Sequence, residues 1–286
     1  MLKKSKQNAS WLALAIALVL IPFIPDLNAQ ELPSYLRDRG TGVPSSMFGT
    51  YLQKGELRVY PYFEWYADSD LEYKPSELGY WLEVDYRGRY RASEWLLFLG
   101  YGLTSDLVLE FEAAAISAEL EKSSNDTSAM PQDVEESGLG DVEAQLRWRF
   151  LRENQSRPEV FTYFETVFPL QKTRRLIGTS DWEFKLGFGA VRGFGWGTMT
   201  LRLAVDYTRA ERKFEAGSYA LEYLKRLSPA WRAVALIEGN QFDEVELITE
   251  MQWYINPRTY LKFNNGWGLT TNATDFAPEV GLMFSF

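Results

Sequence analysis

The chain has 286 residues, 46% hydrophobic and 15% aromatic, with 30 Lys and Arg against 39 Asp and Glu for a formal net charge of -9, and it contains neither cysteine nor histidine. The acidic balance lacks the basic footprint on which nucleic-acid affinity rests, so no nucleic-acid partner is expected. The two missing residue types remove thiol nucleophiles, disulfides, imidazole bases and the usual zinc ligands.

A mean hydropathy of -0.27 argues against a bundle of membrane helices, each of which needs about 20 largely apolar residues. A soluble β protein or a membrane barrel stays open. The chain begins with Lys3, Lys4 and Lys6, then an apolar run from Trp11 to Ile24, Pro25, and the small-residue site Leu27-Asn28-Ala29. That order predicts a cleaved export signal over residues 1–29, since the apolar run is too short to span a bilayer. Residues 30–53 carry Pro33, Gly40, Gly42 and Pro44 and no strand period. They read either as a periplasmic extension or as a plug inside the lumen of a barrel over residues 54–286.

From Glu56 onward apolar and polar residues alternate in long runs, the period of a strand. Leu57, Val59, Phe63 and Trp65 oppose Arg58, Tyr60, Tyr62 and Glu64. Val84, Tyr86 and Tyr90 oppose Asp85, Arg87, Arg89 and Arg91. Val142, Ala144, Leu146 and Trp148 oppose Glu143, Gln145 and Arg147, and Met199, Leu201 and Leu203 oppose Thr200 and Arg202. Val245, Leu247, Met251 and Trp253 oppose Glu246 and Glu250, and the chain closes on Val280, Leu282, Phe284 and Phe286. The runs approach the 9–11 or so residues of a tilted membrane strand, and Trp and Tyr gather at their ends as interfacial girdles do.

Short connections at 103–106, 192–197, 227–230 and 256–257 alternate with long ones at 118–139 and 169–180, as turns and loops do on the two sides of such a barrel. Counting gives an all-β transmembrane antiparallel barrel of about 12 strands, with 10 or 14 as alternatives. Twelve requires residues 82–102 to be one strand whose outward phase switches near Ser93-Glu94 through a β-bulge. It also requires Asn264-Asn265-Gly266, a hairpin signal, to lie inside the eleventh strand.

The terminal Phe286 with Phe284, Leu282 and Val280 resembles the C-terminal signature of bacterial outer-membrane barrels. That resemblance implies outer-membrane localisation and hand-over to the barrel-assembly machinery. Tyr101-Gly102-Leu103-Thr104-Ser105-Asp106, Ser137-Gly138-Leu139-Gly140-Asp141, Arg147-Trp148-Arg149-Phe150 and Gly178-Thr179-Ser180-Asp181-Trp182 resemble the outer-membrane barrel family associated with the phenol degradation meta-pathway. The likeness spans roughly residues 54–286. It implies a transporter or channel with no established catalytic centre, and the glycines themselves read as turn residues.

Inward positions gather charge: Asp85, Arg87, Arg89, Arg91, Glu110, Glu112, Arg147, Arg202, Glu246 and Glu250, joined by Glu143, Glu165, Glu183, Lys185, Asp206, Glu222 and Lys262. They are either ion pairs bracing the wall or a constriction that orients a solute. Acids between Glu119 and Glu136 could bridge through a divalent cation to lipopolysaccharide, but their spacing matches no calcium loop, so neither metal nor cofactor is expected. Without histidine beside a nucleophile the chain reads as no enzyme. The leading expectation is a channel for passive or facilitated diffusion of a small solute, aromatic and hydrophobic compounds among the candidates, with outer-membrane lipids and lipopolysaccharide around it. The alternative is a closed structural barrel with an ion-paired lumen.

Overall fold

The structure, a computed structural model, describes residues 32–170, 173–179, 181–210 and 212–286; the expected signal segment lies outside the described residues. A short 3-10 helix, Ser34–Leu36, leads into a two-stranded hairpin of β1 (Val43–Pro44) and β2 (Tyr51–Leu52). The remaining strands are β3 (Leu57–Tyr73), β4 (Tyr86–Gly102), β5 (Leu107–Glu121), β6 (Asp133–Leu151), β7 (Glu159–Phe168) and β8 (Glu183–Phe194). They continue as β9 (Gly197–Thr208), β10 (Lys213–Arg226), β11 (Trp231–Gly239), β12 (Val245–Asn256), β13 (Thr259–Gly268) and β14 (Phe276–Ser285). Each of β3 to β14 pairs antiparallel with its neighbours in sequence, and β14 closes on β3, giving a barrel of 12 strands.

Closure follows from the alternation. Odd positions of β4 and β5 such as Trp95, Leu97 and Phe111 face out, as do Leu146, Trp148, Phe188, Leu203, Trp253, Phe263 and Val280 elsewhere. The buried set includes Arg58, Glu110, Arg147, Glu222, Glu250, Gln252 and Lys262. Large apolar side chains outside and ionised ones inside invert the order of a water-soluble protein. The arrangement is stable when the outer face meets lipid and the inner face supplies its own partners.

The connections distinguish the two ends. Residues 103–106, 152–158, 195–196, 227–230 and 257–258 form the turn end, and 74–85, 122–132 and 169–182 are the long connections of the loop end. β3 to β6 contain 17, 17, 15 and 19 residues, more than the 9–11 or so that cross the hydrocarbon layer, so this side of the barrel stands proud of the belt at the loop end.

That projection corrects the phase switch at Ser93-Glu94. β4 pairs with β5 without interruption from Arg89↔Glu121 to Gly102↔Val108, and the irregularity lies across the strand pair, between Asp68 and Leu71 of β3. Gly88, Ala92, Leu96 and Phe98 are all buried, so Arg87, Arg89 and Arg91 share the outward parity of Trp95. Above the belt the outer face meets water, so it carries charge, and a change of solvent mimics a change of phase in the sequence. The expected long connection at 118–139 also contracts to 122–132, because Glu119, Glu121, Asp133 and Glu135 stand on paired strands. Asn264, Asn265 and Gly266 remain within β13, paired on both sides.

Candidate functional site

Residues 32–56 precede the barrel strands and pack against the inward face of the wall at the turn end. The apolar side chains of the hairpin find apolar wall positions: Val43 and Leu52 pack on Val108, Tyr51 on Leu224 and Val234, and Phe48 beside Leu236 and Ile248. At the hairpin tip Gly49 has φ +61°, and a Cβ there would lie 2.7 Å from Val234 Cγ2 and 2.8 Å from Gln252 Nε2. Both the backbone conformation and the space therefore require glycine.

The rest of the seat is polar. Arg39 donates to Glu153 (3.0 Å) and Glu159 (3.1 Å) with all three side chains 1% exposed. Asp38 lies 3.4 Å from Lys225. Ser46 N donates to both oxygens of Glu110 (3.2 and 3.1 Å), Gln252 donates to Phe48 O (3.3 Å), and Arg149 donates to Gly42 O. Beneath these contacts the wall pairs with itself, Arg147 with Glu110 at 3.3 Å and Lys262 with Glu250 at 2.9 Å. Ions removed from water need such partners, because the desolvation cost otherwise amounts to several kcal/mol per charge. The guanidinium of Arg147 is also covered by Tyr163, at 4.7 Å, and Phe161, at 5.6 Å.

The lumen differs on the two sides of the hairpin. Toward the loop end, cavities of about 320, 450 and 220 Å³ are lined by Glu64, Glu143, Glu165, Glu183, Asp206, Glu238, Glu246 and Glu279, with Tyr62, Tyr66 and Tyr163 between them. Lys185 bridges Glu165 (3.4 Å) and Asp206 (3.7 Å). Among the described residues Glu64, Glu143, Glu183, Glu238 and Glu246 form no salt bridge. Toward the turn end a cavity of about 450 Å³ is lined by Arg39, Lys54, Arg58, Arg232 and Arg258, with Glu56 the carboxylate among them. The lumen thus runs from an acidic chamber to a basic mouth, with the hairpin between.

The sequence candidates separate into three groups. Glu110, Arg147 and Glu250 stand at the seat of the N-terminal segment, and Arg202 lies beside it, 3.9 Å from Glu222. Glu112 and Glu246 occupy inward positions of β5 and β12 closer to the loop end. The third group leaves the lumen, a correction to its expected lining role. Asp85 sits in the loop after β3, 3.5 Å from Lys74; Arg87 pairs with Asp70 (3.2 Å) and Glu72 (3.1 Å); Arg89 pairs with Glu121 (2.9 Å); and Arg91 is exposed opposite Glu119. Because Glu110 and Glu250 are each taken by a buried cation, neither Glu110/Glu112 nor Glu246/Glu250 is a free pair of acids for hydrolysis. Among the described residues no group of carboxylates is arranged to hold a metal ion.

Asp38, Arg39, Ser46 and Phe48 were not among the sequence candidates, because their segment has no period to assign an inward face. Their signal was the glycine spacing: Gly40, Gly42 and Gly49 all take positive φ, as a compact, folded segment requires.

No family model and no curated protein matches this sequence. Among solved structures the chain is similar to the COG4313 outer membrane channel from Pseudomonas putida F1, with a TM-score of 0.59 and 16% identity over 85% of this chain and 100% of that one. It is also similar to the translocator domain of the autotransporter NalP from Neisseria meningitidis, with a TM-score of 0.51 and 9% identity over 82% of this chain and 90% of that one. At these identities the likeness defines the shared fold, a closed transmembrane barrel.

Proposed function

We propose that this protein is an outer-membrane channel for small solutes whose lumen is closed toward the periplasm by residues 32–56. The loop end then faces outward and the turn end faces the periplasm, as the lengths of the connections imply. The observation that carries this reading is the position of the hairpin. It is the part of the chain that separates the acidic chamber from the basic mouth, and side-chain contacts hold it without pairing it into the barrel sheet. A segment so held can leave its seat while the wall stays closed.

The lining supports a choice of solute. Carboxylates without ion-pair partners attract cations into the chamber, and the Tyr62, Tyr66 and Tyr163 rings offer flat, amphipathic surfaces to an aromatic guest. A small aromatic solute carrying a polar or positive group meets both demands. The similarity of the fold to a protein described as an outer membrane channel agrees with this reading. Liposome swelling tests it: aromatic amines should enter vesicles containing the protein faster than aromatic acids of equal size. No flux of any solute, with the N-terminal segment present or removed, would sink the proposal in favour of a closed structural barrel, a reading that the buried ion pairs at the seat also fit.

A further inference from the structure

The inward face of β11 reads Arg232, Val234, Leu236, Glu238. Arg232 lines the basic mouth, Val234 and Leu236 are the buried positions beside Tyr51 and Phe48 of the hairpin, and Glu238 lines the acidic chamber. From Arg232 to Glu238 the strand rises by about 20 Å. The screening length at physiological ionic strength is about 8 Å, so the two zones act on a passing solute one after the other.

The positive charge of the mouth is not cancelled by its own acids. Arg39 is paired with Glu153 and Glu159, and Arg58 with Glu56. Among the described residues Lys54, Arg232 and Arg258, on the same lining, form no salt bridge. Arg232 donates to the neutral phenol of Tyr254 (2.7 Å) and lies over its ring at 4.7 Å. Even with a terminal carboxylate at Phe286 counted, the lining keeps an excess of positive charge. Across the hairpin, the chamber carboxylates without ion-pair partners supply the opposite excess.

A cation drawn into the chamber therefore meets like charge at the mouth, and an anion suited to the mouth is turned back at the chamber. A solute that carries one charge of each sign has an attractive end for both zones and no net charge to be repelled. We propose that the preferred solutes are aromatic zwitterions, compounds with a ring beside an ammonium and a carboxylate. The ring meets the tyrosines of the chamber and the ammonium its free carboxylates. Lys54, Arg232 and Arg258 then receive the carboxylate at the mouth. This rests on the channel function proposed above and narrows its solute class.

Swelling of liposomes containing the full-length protein tests it with phenylalanine, phenethylamine and hydrocinnamate, which share a phenylethyl frame, each rate taken above that of protein-free vesicles. Phenylalanine should enter about tenfold faster than phenethylamine, the lower end of the gain from focused charge, with hydrocinnamate slowest. Phenylalanine is the largest of these solutes, so its lead does not follow from size. Lys54→Glu combined with Arg258→Glu reverses the mouth at two exposed positions and should bring phenethylamine level with phenylalanine or ahead of it. If that variant does not fold, Lys54→Gln with Arg258→Gln should narrow the gap. Phenylalanine entering no faster than phenethylamine, with the amine still ahead of the acid, overturns the inference and leaves the channel reading standing. A phenylalanine lead that survives charge reversal at the mouth also overturns it, because the order would then not arise from Lys54 and Arg258. Entry of none of these solutes sinks the channel reading and the inference with it.

Discussion

Arg39 Nη2 and Glu159 Oε2 lie 3.1 Å apart with both side chains 1% exposed, joining the N-terminal segment to β7 inside the lumen. Glu159 also accepts from Arg149 at 3.1 Å, so it keeps a partner if the segment departs. Removing Arg39 therefore destabilises the seat more than the wall. Breaking a buried pair typically costs about 3–5 kcal/mol. Arg39→Ala should raise open probability in single-channel recordings by two orders of magnitude or so, with an unchanged unfolding temperature of the barrel. Equal open probability in the two proteins would remove Arg39 as an anchor.

The pair Lys262–Glu250, at 2.9 Å and 1% exposure on both sides, belongs to the wall alone. Lys262→Met leaves Glu250 buried without its cation and should lower barrel stability by about 3–5 kcal/mol. Adding Glu250→Gln should recover much of that loss, because the second substitution removes the orphaned charge. Urea unfolding in lipid vesicles measures both, and strictly additive losses would contradict the pairing.

Gly187 faces Tyr163 closely enough that a Cβ would lie 2.0 Å from Cζ of its ring. That ring covers Arg147 at 4.7 Å. Gly187→Ala must displace the ring and should cost about 1–3 kcal/mol, the range for overpacking, while Gly195→Ala, where nothing lies within 4 Å, should be nearly neutral. Thermal unfolding of the two variants gives the comparison.

Asp106, in the turn between β4 and β5, accepts two bonds from Arg152 (2.8 and 2.6 Å) and one from Arg149 (3.0 Å). The Arg152 hydrogen bonds, followed by that of Arg149, hold its carboxyl well below the usual carboxylate range. A depressed folded-state pKa contributes stability that is present above the ordinary carboxylate value and is lost as the pH falls below it. Stability should therefore decline on acidification, and Asp106→Asn should flatten that part of the profile. The same slope in both proteins would show that other carboxylates control it. The group is partly exposed, so solvent screening keeps its share modest.

The strand period made the barrel readable, since lipid outside and water or ion pairs inside impose opposite chemistry on alternate residues. Arg147, Glu110 and Glu250 were legible as inward charges for that reason. Arg87, Arg89 and Arg91 were misplaced because the same alternation occurs where β4 rises above the lipid, and parity alone does not report which solvent the outer face meets. The seat of Arg39 and Phe48 was illegible because an irregular segment has no period, and its partners Glu153, Glu159 and Gln252 lie more than a hundred residues away in the chain. Pairing across that distance is a property of the closed barrel and leaves no local pattern.

Whether residues 32–56 close the lumen is tested most directly by planar-bilayer conductance of the intact protein beside a variant lacking residues 32–53. The intact protein should be closed for most of the recording, and the variant should conduct steadily, with a preference for cations imposed by the unpaired carboxylates of the outer chamber. Equal conductance in the two proteins, whether both open or both closed, would contradict the segment's role as the closing element.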